Sequence, residues 1–385
     1  MSEPSAGPLA GIRVVELAGI GPGPFASLLL NELGAEVIRI DRPGGSELQS
    51  TVSSGLNRGR ANVAVNLKTA GGRDTVLRLV ASADVLIEGN RPGVTERLGV
   101  GPDDCLAVNP GLIYARMTGW GQEGPLAHTA GHDINYAAIS GALHTTGTHE
   151  KPMQAVNLIA DFGGGSLYLI IGVLAALQER TRSGRGQVID AAMVDGAASL
   201  VTMLYGLLAQ GGWKDERRVN LLDGGAPFYD TYRCADGKYV AVGAIEPQFY
   251  AALLEGLGLT SIEGDQLDQD FWPAHRKIFE DAFAERSRDE WASHFDGTDA
   301  CVAPVLSLTE APQHPHMAAR GTFAELAGHP HPKVAPRFSR TPGLDPSPSH
   351  RVGQDTEATL AAWGFGTEEI RSLIDSGAVF QDANH

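Results

Sequence analysis

The chain has 385 residues, of which 43% are hydrophobic and 20% are charged. This length predicts about two domains, each large enough to bury its own core. The 30 Lys and Arg residues against 46 Asp and Glu residues leave a formal net charge of −16. Because an acidic surface repels polyanions, the charge argues against nucleic-acid binding and against docking on an anionic membrane. A phosphorylated ligand would require a local cluster of arginines.

The three cysteines, Cys105, Cys234 and Cys301, are dispersed and form no CxxC pair, so we expect free thiols in a reducing compartment. Residues 1–12 lack the basic start and apolar core of a secretory signal. The longest apolar stretch, Leu167–Leu177, is too short to span a bilayer, which takes about 20 residues. The sequence therefore predicts a soluble cytoplasmic protein without a membrane segment.

Short β-branched segments alternate with helical ones in the first part of the chain. The predicted strands are Ile12–Leu17, Glu36–Ile40, Val63–Leu67, Val85–Ile87 and Leu112–Met117. The predicted helices are Phe25–Leu33, which ends at Gly34, and Gly72–Ala81. Strands separated by helices of this size indicate βαβ units, so we expect an α/β fold with a parallel sheet.

The pattern changes near Asp223. Before it, residues 132–210 are predicted to be mostly helical, with one strand at Gln187–Met193. The elements predicted after it are two strands joined by a tight turn and three helices, namely Phe228–Cys234, Lys238–Ile245, a helix from about Gln248, Trp272–Glu285 and Arg288–Phe295. They form a smaller α+β unit. The segment His329–His350 is rich in Pro, His and Ser and predicts an extended connection before a final helix at Thr367–Asp375.

The segment Gly19–Pro24 lies between the first predicted strand and the first predicted helix. Its glycines imitate a dinucleotide-binding fingerprint, and Asp41 at the end of the next strand takes the place of the ribose-binding acid. The match is imperfect because the third glycine falls early and two prolines interrupt the motif. An ordinary strand-to-helix turn is the favoured interpretation, with NAD binding as the alternative.

Five arginines lie near the carboxyl ends of the predicted parallel strands, namely Arg42, Arg58, Arg60, Arg91 and Arg97. Open α/β sheets bind their ligands at this edge. A guanidinium group there can hold a phosphate through two hydrogen bonds. We therefore expect the group to form an anion site, although for each arginine taken alone a solvated surface residue is the favoured interpretation.

His132 precedes a helical pattern that Asp133 is predicted to cap. The imidazole would then lie beside unpaired backbone N–H groups, whose partial positive charge favours a developing oxyanion and a neutral, basic imidazole. A histidine that only makes local hydrogen bonds is the alternative. Among the other histidines, His314 and His316 lack carboxylate or Cys partners at ligand spacing, so no metal site is expected.

Two carboxylates also lie at predicted helix starts. Asp161 is predicted to cap the apolar helix Leu167–Glu179, and the three glycines Gly163–Gly165 are expected to leave its first turn open to a bulky ligand. Glu246 precedes Pro247, which suits the first position of a helix, so Glu246 is a further candidate cap. Each carboxylate is also explained as an ordinary helix cap without a catalytic role.

Six segments are long and specific, namely Val14–Leu17, Asp41–Pro43, Leu86–Gly93, Gly131–Ile134, Asp161–Gly165 and Gly243–Gln248. They resemble the α-methylacyl-CoA racemases, which belong to family III of the CoA-transferases, and the similarity runs from about Leu9 to about Pro342. The resemblance implies a Rossmann-like large domain and a smaller α+β domain joined by two long linkers. It also implies a homodimer in which two chains interlock.

The resemblance implies the domain boundaries as well. Residues 1–200 would form the first part of a CoA-binding large domain, and residues 225–310 would form the small domain. Residues 201–224 and 311–345 would be linkers, and residues 346–385 would return to the large domain. The active site would lie between the large domain of one chain and the small domain of the other.

Carried over by position, the resemblance makes His132 and Asp161 the two catalytic bases and Glu246 a carboxylate that assists them. The residues implied to hold the CoA phosphates are Arg42, Arg91 and Arg97. The other implied binding residues are Val65, Asn66, Leu67, Lys68, Gly89 and Asn90 on the adenine side, and Gly131, Asp133, Ile134, Asn135 and Tyr136 along the thioester path. No cofactor is implied, because CoA is part of the acyl-CoA substrate.

The expected function is inversion of the α-carbon of a 2-methyl-branched acyl-CoA thioester through an enolate, with His132 and Asp161 acting on opposite faces. A desolvated pocket is expected to raise the pKa of Asp161, so that this residue can donate a proton. The nearest alternative is a CoA-transferase in which Asp161 is the nucleophile. A non-catalytic acyl-CoA- or dinucleotide-binding protein is the hypothesis of a different class.

Overall fold

The computed structural model describes residues 7–45, 55–259 and 262–382. The chain divides into a large unit, which comprises Met1–Ser140, Ala155–Leu200 and Ala319–His385, and a small unit, which comprises Gly141–Gln154 and Val201–Ala318. Residues 141–154 thus belong to the small unit, although the residues on either side of them belong to the large unit. The domain and linker boundaries given in the sequence analysis stay a prediction.

Twelve strands occur in the described part of the chain. They are β1 (Arg13–Leu17), β2 (Glu36–Asp41), β3 (Ala61–Val65), β4 (Val85–Glu88), β5 (Ile113–Thr118), β6 (Gln187–Ala192), β7 (Tyr229–Arg233), β8 (Tyr239–Gly243), β9 (Val302–Pro304), β10 (Phe323–Leu326), β11 (His329–Pro332) and β12 (Val379–Phe380).

Fourteen α-helices occur over the same residues. They are α1 (Pro22–Glu32), α2 (Ala70–Ala81), α3 (Val94–Arg97), α4 (Pro102–Val108), α5 (Asp133–Ile139), α6 (Tyr168–Ser183), α7 (Met193–Leu200), α8 (Thr202–Ala209), α9 (Pro247–Gly256), α10 (Trp272–Phe283), α11 (Arg288–Phe295), α12 (Pro315–Ala319), α13 (Thr356–Ala362) and α14 (Thr367–Asp375). A π-helix, Leu158–Leu167, runs directly into α6.

The large unit contains a seven-stranded sheet in the order β12-β3-β2-β1-β4-β5-β6. Strands β1 to β6 pair in parallel, and β12 is antiparallel to β3. Strands of a parallel sheet covered on both faces are apolar throughout, and Val14, Val15, Leu86 and Ile87 are accordingly buried. The parallel sheet predicted from the βαβ alternation is confirmed.

The small unit contains an antiparallel sheet in the order β7-β8-β9, on which α10 and α11 pack. The predicted hairpin is confirmed as β7 and β8, and its turn contains Gly237 with a φ of 79°, a conformation that glycine adopts without strain. The core of this unit is largely aromatic and includes Phe228, Tyr232, Phe283 and Trp291. The small unit therefore buries a hydrophobic core of its own.

The residues after Ala319 return to the large unit. Trp363 and Val379 from this segment are buried in the same hydrophobic cluster as Val63. The final predicted helix is confirmed as α14. The segment predicted as an extended connection from His329 begins with β11, which pairs with β10 in an antiparallel hairpin that the sequence pattern does not predict.

The π-helix and α6 together form the long apolar helix Leu158–Ser183. By length and composition this helix could cross a membrane, whereas the sequence pattern singles out only the shorter run Leu167–Leu177. In the structure α6 packs against β5 and β6 and buries Leu169, Val173 and Ala176. The expectation that the chain does not bind membranes stays a prediction.

Candidate active site

A cavity of about 1020 Å³ lies at the carboxyl edge of the parallel sheet. Its wall includes the segments that follow four neighbouring strands, namely residues 18–24 after β1, Arg42 after β2, residues 66–68 after β3 and residues 89–92 after β4. The carboxyl ends of parallel strands meet at one edge, where open α/β sheets bind their ligands. The sheet therefore brings segments together that are far apart in the sequence.

Most residues that the resemblance assigns to the site line this cavity. They are Arg42, Val65, Asn66, Leu67, Lys68, Gly89, Asn90, Arg91, Gly131, His132, Tyr136 and Asp161. Four others are not among its lining residues, namely Arg97, Asp133, Ile134 and Asn135. Glu246 lies in the small unit, as the N-cap residue of α9. The cavity thus brings together the two candidate bases, His132 and Asp161.

His132 is the N-cap residue of α5, and it is exposed on the cavity wall. The Oδ1 atom of Asn135 accepts a hydrogen bond of 3.1 Å from the His132 backbone N–H group. The predicted cap, Asp133, is instead the first helical residue, so the predicted helix start is wrong by one position. The physical reason is that the Asp133 carboxylate accepts hydrogen bonds from another segment, at Ala160 and Asp161.

Asp161 lies in the first turn of the π-helix and is partly buried. The prediction that it caps a helix starting at Leu167 is wrong, because helical backbone already begins at Leu158, after the N-cap residue Asn157. The side-chain amide of Asn157 donates a hydrogen bond of 3.3 Å to Asp161 Oδ2. The N-cap residue of the same helix therefore holds the Asp161 carboxyl group, which lines the cavity.

Burial raises the pKa of Asp161 above its ordinary value. The hydrogen bond from Asn157 and the charge of His132 lower this pKa, whereas the negative charge of Asp133 raises it. Since burial is the largest effect, the protonated form of Asp161 is favoured relative to an exposed aspartate. Such a carboxyl group suits a proton donor.

The loop after β1 and the first residues of α1, together residues 18–24, face Asp161. Gly21 in this loop has a φ of 66°, and a Cβ atom added there would lie 3.4 Å from Asp161 Oδ2. Two buried arginines bond to this segment: Arg39 donates to the Gly19 carbonyl oxygen, and Arg60 donates to the Pro24 carbonyl oxygen. A glycine at position 21 therefore permits a left-handed turn close to the carboxyl group, and the hydrogen bonds from the two arginines hold the residues on either side of that turn.

Two of the five arginines predicted to form an anion site are bound inside the protein instead. Arg60 is buried and donates to Glu16 at 2.5 Å, and Arg58 is buried and donates to Glu32 at 2.6 Å. Because these guanidinium groups are paired with interior carboxylates, they are not free to bind a ligand phosphate. The anion-site prediction is therefore wrong for Arg58 and Arg60.

Asp41, the acidic residue of the dinucleotide-like pattern, is 4% exposed. Its Oδ2 atom accepts hydrogen bonds of 2.7 Å from Arg39 Nε and from Asn62 Nδ2. An acid that binds a ribose has to offer its oxygens to the ligand. The arrangement therefore favours the strand-to-helix turn over the NAD-binding alternative.

The three glycines after Asp161 serve helix packing. A Cβ atom at Gly164 would lie 2.5 Å from the Ala197 backbone nitrogen, and one at Gly196 would lie 1.8 Å from the Gly164 carbonyl oxygen. Residues 163–165 are not among the lining residues of the cavity. The predicted opening for a bulky ligand at these glycines is wrong, because α7 packs directly against that face of the π-helix.

An aromatic pair, Trp120 and Tyr136, forms another part of the cavity wall. The two rings meet edge to face, with centroids 4.7 Å apart. Burial raises the pKa of Tyr136 to about 12. Neither Trp120 nor Asn157 is marked by the sequence pattern, although the position of Trp120, two residues after the end of β5, is a signal for the same sheet edge.

The family model for CoA-transferase family III matches residues 9–356. The chain belongs to CoA-transferase family III. The "Alpha-methylacyl-CoA racemase" of Mus musculus is 49% identical to this chain over 382 residues, which cover 97% of this chain and 98% of that protein. The "Succinyl-CoA:glutarate CoA-transferase" of Mus musculus is 29% identical over 401 residues, which cover 97% and 91%. The resemblance found in the six sequence segments is confirmed.

A solved structure agrees with this family assignment. The crystal structure of a CAIB/BAIF family protein from Brucella suis matches with a TM-score of 0.81 and 27% sequence identity. The match covers 93% of this chain and all of that one (100%). The mixed α/β architecture described above is thus an architecture of the family.

Proposed function

We propose that this chain is a racemase that inverts the α-carbon of 2-methyl-branched acyl-CoA thioesters, with His132 and Asp161 as its two acid/base groups. The observation that carries the proposal is that both side chains line one cavity, together with the segments assigned to CoA binding. The relative named alpha-methylacyl-CoA racemase, 49% identical over 97% of the chain, supports the same reaction.

The reaction takes a proton from the carbon beside the thioester carbonyl and returns one to the opposite face. In one direction, the neutral imidazole of His132 removes the proton, and the C–H electron pair moves into an enolate whose negative charge lies on the thioester oxygen. Protonated Asp161 then delivers its proton to the other face of the same carbon. The products are the opposite epimer, a protonated imidazole and a carboxylate, and this enzyme form starts the reverse reaction.

Asp161 has to hold its proton until the enolate forms, and burial favours this by raising the pKa of the carboxyl group. The backbone N–H groups that follow His132 in α5 are the proposed donors to the enolate oxygen. CoA activates the α-carbon as part of the substrate, so the proposed mechanism uses no further cofactor and no metal.

The CoA moiety is proposed to bind along the sheet edge. Arg42 and Arg91 are exposed side chains on the cavity wall, and we propose that they hold the CoA phosphates together with Arg97 of α3. Residues 65–68 at the end of β3 and residues 89–90 after β4 are the proposed adenine side. A volume of about 1020 Å³ suits an elongated ligand. Binding energy from the nucleotide can hold the reacting carbon in place between the two bases.

We also propose that two copies of this chain form a homodimer. Helix α8 has the apolar sequence TMLYGLLA, yet it has no buried residue. Met203 and Tyr205 of this helix are 58% and 57% exposed, and Ile171 of α6 is 60% exposed. Exposed apolar surface of this kind is typical of a protein–protein interface. In the dimer implied by the resemblance, Glu246 would assist at the site of the other copy, and sedimentation equilibrium measures the oligomeric state.

A CoA-transferase is the second candidate, and the relative named succinyl-CoA:glutarate CoA-transferase favours it. The Asp161 carboxylate would attack the thioester carbonyl, so that the C–S bond breaks, CoA leaves as a thiolate and an acyl anhydride forms on Asp161. An acceptor acid would then be needed to take up the CoA. His132 separates the two functions, because transfer does not need a second base on the opposite face.

The test is to incubate one epimer of a 2-methylacyl-CoA in D₂O without an acceptor acid and to follow the α-proton by NMR. We expect the wild type to exchange this proton, and His132→Ala and Asp161→Ala to be at least about 100-fold slower. The control is Asp84→Ala, since Asp84 precedes β4 at the opposite edge of the sheet. Turnover only after addition of an acid would support the transferase, and acyl-CoA binding without any turnover would support the non-catalytic hypothesis.

A further inference from the structure

Asp133 connects the two segments that carry the proposed bases. The residue is 7% exposed, and its Oδ1 atom accepts hydrogen bonds from the backbone N–H groups of Ala160 and Asp161, each at 2.8 Å. His132 directly precedes Asp133 in the chain. One buried carboxylate is therefore bonded to the backbone of one proposed base and covalently adjacent to the other.

The start of the π-helix requires an acceptor of this kind, because the first N–H groups of a helix have no carbonyl partner within it. The N-cap residue, Asn157, makes no side-chain capping bond and donates its amide to Asp161 instead. The Asp133 carboxylate, which belongs to helix α5, accepts hydrogen bonds from this helix start in place of Asn157. Two hydrogen bonds of 2.8 Å therefore connect the start of the π-helix to α5.

We propose that Asp133 is a positioning residue that holds the start of the π-helix against the start of α5 and so fixes the separation between the His132 imidazole and the Asp161 carboxyl group. This inference rests on the proposed function, in which both groups have to reach opposite faces of one carbon atom. A displacement of about 1 Å can lower a reaction rate about 100-fold. The role differs from the substrate contact implied by the resemblance, and Asp133 is not among the cavity-lining residues.

The charge of Asp133 gives the proposal a second readout. The titratable groups that shift the pKa of Asp161 are Asp133, which raises it, and His132, which lowers it, and both lie at the start of α5. The charge of Asp161 in turn raises the pKa of Tyr136. Since the negative charge of Asp133 raises the pKa of Asp161, a neutral asparagine at position 133 is expected to lower that pKa. The pH limb that reports protonation of Asp161 is then expected to move to lower pH. The asparagine Oδ1 atom can still accept the two backbone hydrogen bonds.

The experiment compares Asp133→Ala, Asp133→Asn and the control Asp84→Ala in the full chain. We expect Asp133→Ala to lower the kcat of α-proton exchange about 10- to 100-fold while KM changes less than about threefold. Asp133→Asn is expected to keep kcat within about tenfold of wild type and to show the shifted pH limb. Asp84 also accepts a backbone N–H group at 2.8 Å, from Arg13, and pairs with Arg180 of α6 at 2.7 Å. Its alanine variant therefore controls for the loss of structural bonds, and we expect it to leave kcat unchanged.

Hydrogen exchange of the amides of residues 160 and 161 provides a readout that does not depend on activity. We expect faster exchange in Asp133→Ala and near wild-type exchange in Asp133→Asn. Unchanged amide exchange, an unchanged kcat, or a raised KM at unchanged kcat in Asp133→Ala would each overturn the proposal. If Asp133→Ala does not fold, a folded Asp133→Asn with no activity or no pH shift overturns it. Absence of wild-type α-proton exchange would refute the proposed function, and the amide exchange would then decide the positioning role alone.

Discussion

Gly196 makes a close backbone contact between α7 and the π-helix, so a methyl group at this position tests how Asp161 is held in place. A Cβ atom at Gly196 would lie 1.8 Å from the Gly164 carbonyl oxygen, whereas ordinary van der Waals contact begins at 3.4 Å. Gly196→Ala therefore requires the two helices to separate by about 1.6 Å, the difference between these distances. The atoms involved belong to the backbone and cannot rotate away.

The separation has an effect on stability and an effect on catalysis. Overpacking of this kind typically lowers the free energy of unfolding by about 1–3 kcal/mol. Asp161 lies three residues before Gly164 in the same π-helix, so we expect the displacement to move its carboxyl group relative to His132. Because a misplacement of about 1 Å can cost about 100-fold in rate, we expect kcat to fall about 100-fold. Acyl-CoA binding should persist, since the proposed phosphate ligands Arg42, Arg91 and Arg97 belong to neither α7 nor the π-helix.

α-Proton exchange in D₂O measures the loss of kcat, and urea denaturation measures the loss of stability. Gly111→Ala is the matched control, because Gly111 lies before β5, and a Cβ atom added there comes no closer than 3.5 Å to atoms beyond its chain neighbours. The control should leave kcat unchanged and alter the free energy of unfolding by less than about 1 kcal/mol. A wild-type kcat in Gly196→Ala would refute the conclusion that α7 fixes the position of the π-helix.

Three further predictions concern single side chains. Asp161→Asn should raise the free energy of unfolding at pH 7, and the gain should fade at lower pH. Burial raises the pKa of Asp161 in the folded state, so its ionised form at pH 7 lowers the stability of the wild type, and this loss disappears as the group is protonated at lower pH. Equal gains in urea denaturation at pH 7 and at pH 4 would contradict this. Arg60→Met should lower the free energy of unfolding by about 1.5–3 kcal/mol, because Glu16 Oε2 loses its buried partner while Arg39 still pairs with Oε1. A loss below about 1 kcal/mol in urea would argue against it. Arg91→Ala should raise KM for acyl-CoA about 10- to 100-fold with a smaller change in kcat, since a charged hydrogen bond contributes about 1.5–3 kcal/mol. An unaltered KM in steady-state kinetics would contradict this prediction.

Much of the parallel sheet could be predicted from the sequence, because its strands are short apolar runs separated by helices. The predicted Val85–Ile87 and Leu112–Met117 differ by about one residue from β4 and β5. Strand β12 could not be predicted, since Val379 pairs with Val65, a residue far away in the sequence, and only two residues take part. Long-range pairing of so short a segment leaves no local pattern.

The candidate site was predicted less evenly, because its geometry depends on helix type and on distant partners. The sequence pattern predicts a helix start at Asp161, but it contains no sign that the backbone adopts a π-helix from Leu158. Arg60 has the sequence position of a phosphate ligand, and only the folded chain reveals its bond to Glu16. A glutamate inside an otherwise apolar strand is the one local signal that a buried cation is nearby.

Strand β12 also constrains the order in which this protein can mature during synthesis. Asn66 donates a backbone hydrogen bond of 2.9 Å to the Ala378 carbonyl oxygen, so the proposed adenine side gains its neighbour only after about residue 380 has been translated. The small unit, with its own aromatic core, emerges from the ribosome earlier and can fold in the meantime. Until β12 has been synthesised, β3 presents an unpaired strand edge, the kind of surface that promotes aggregation. The edge of β3 is therefore covered only at the end of synthesis, when β12 becomes available to pair with it.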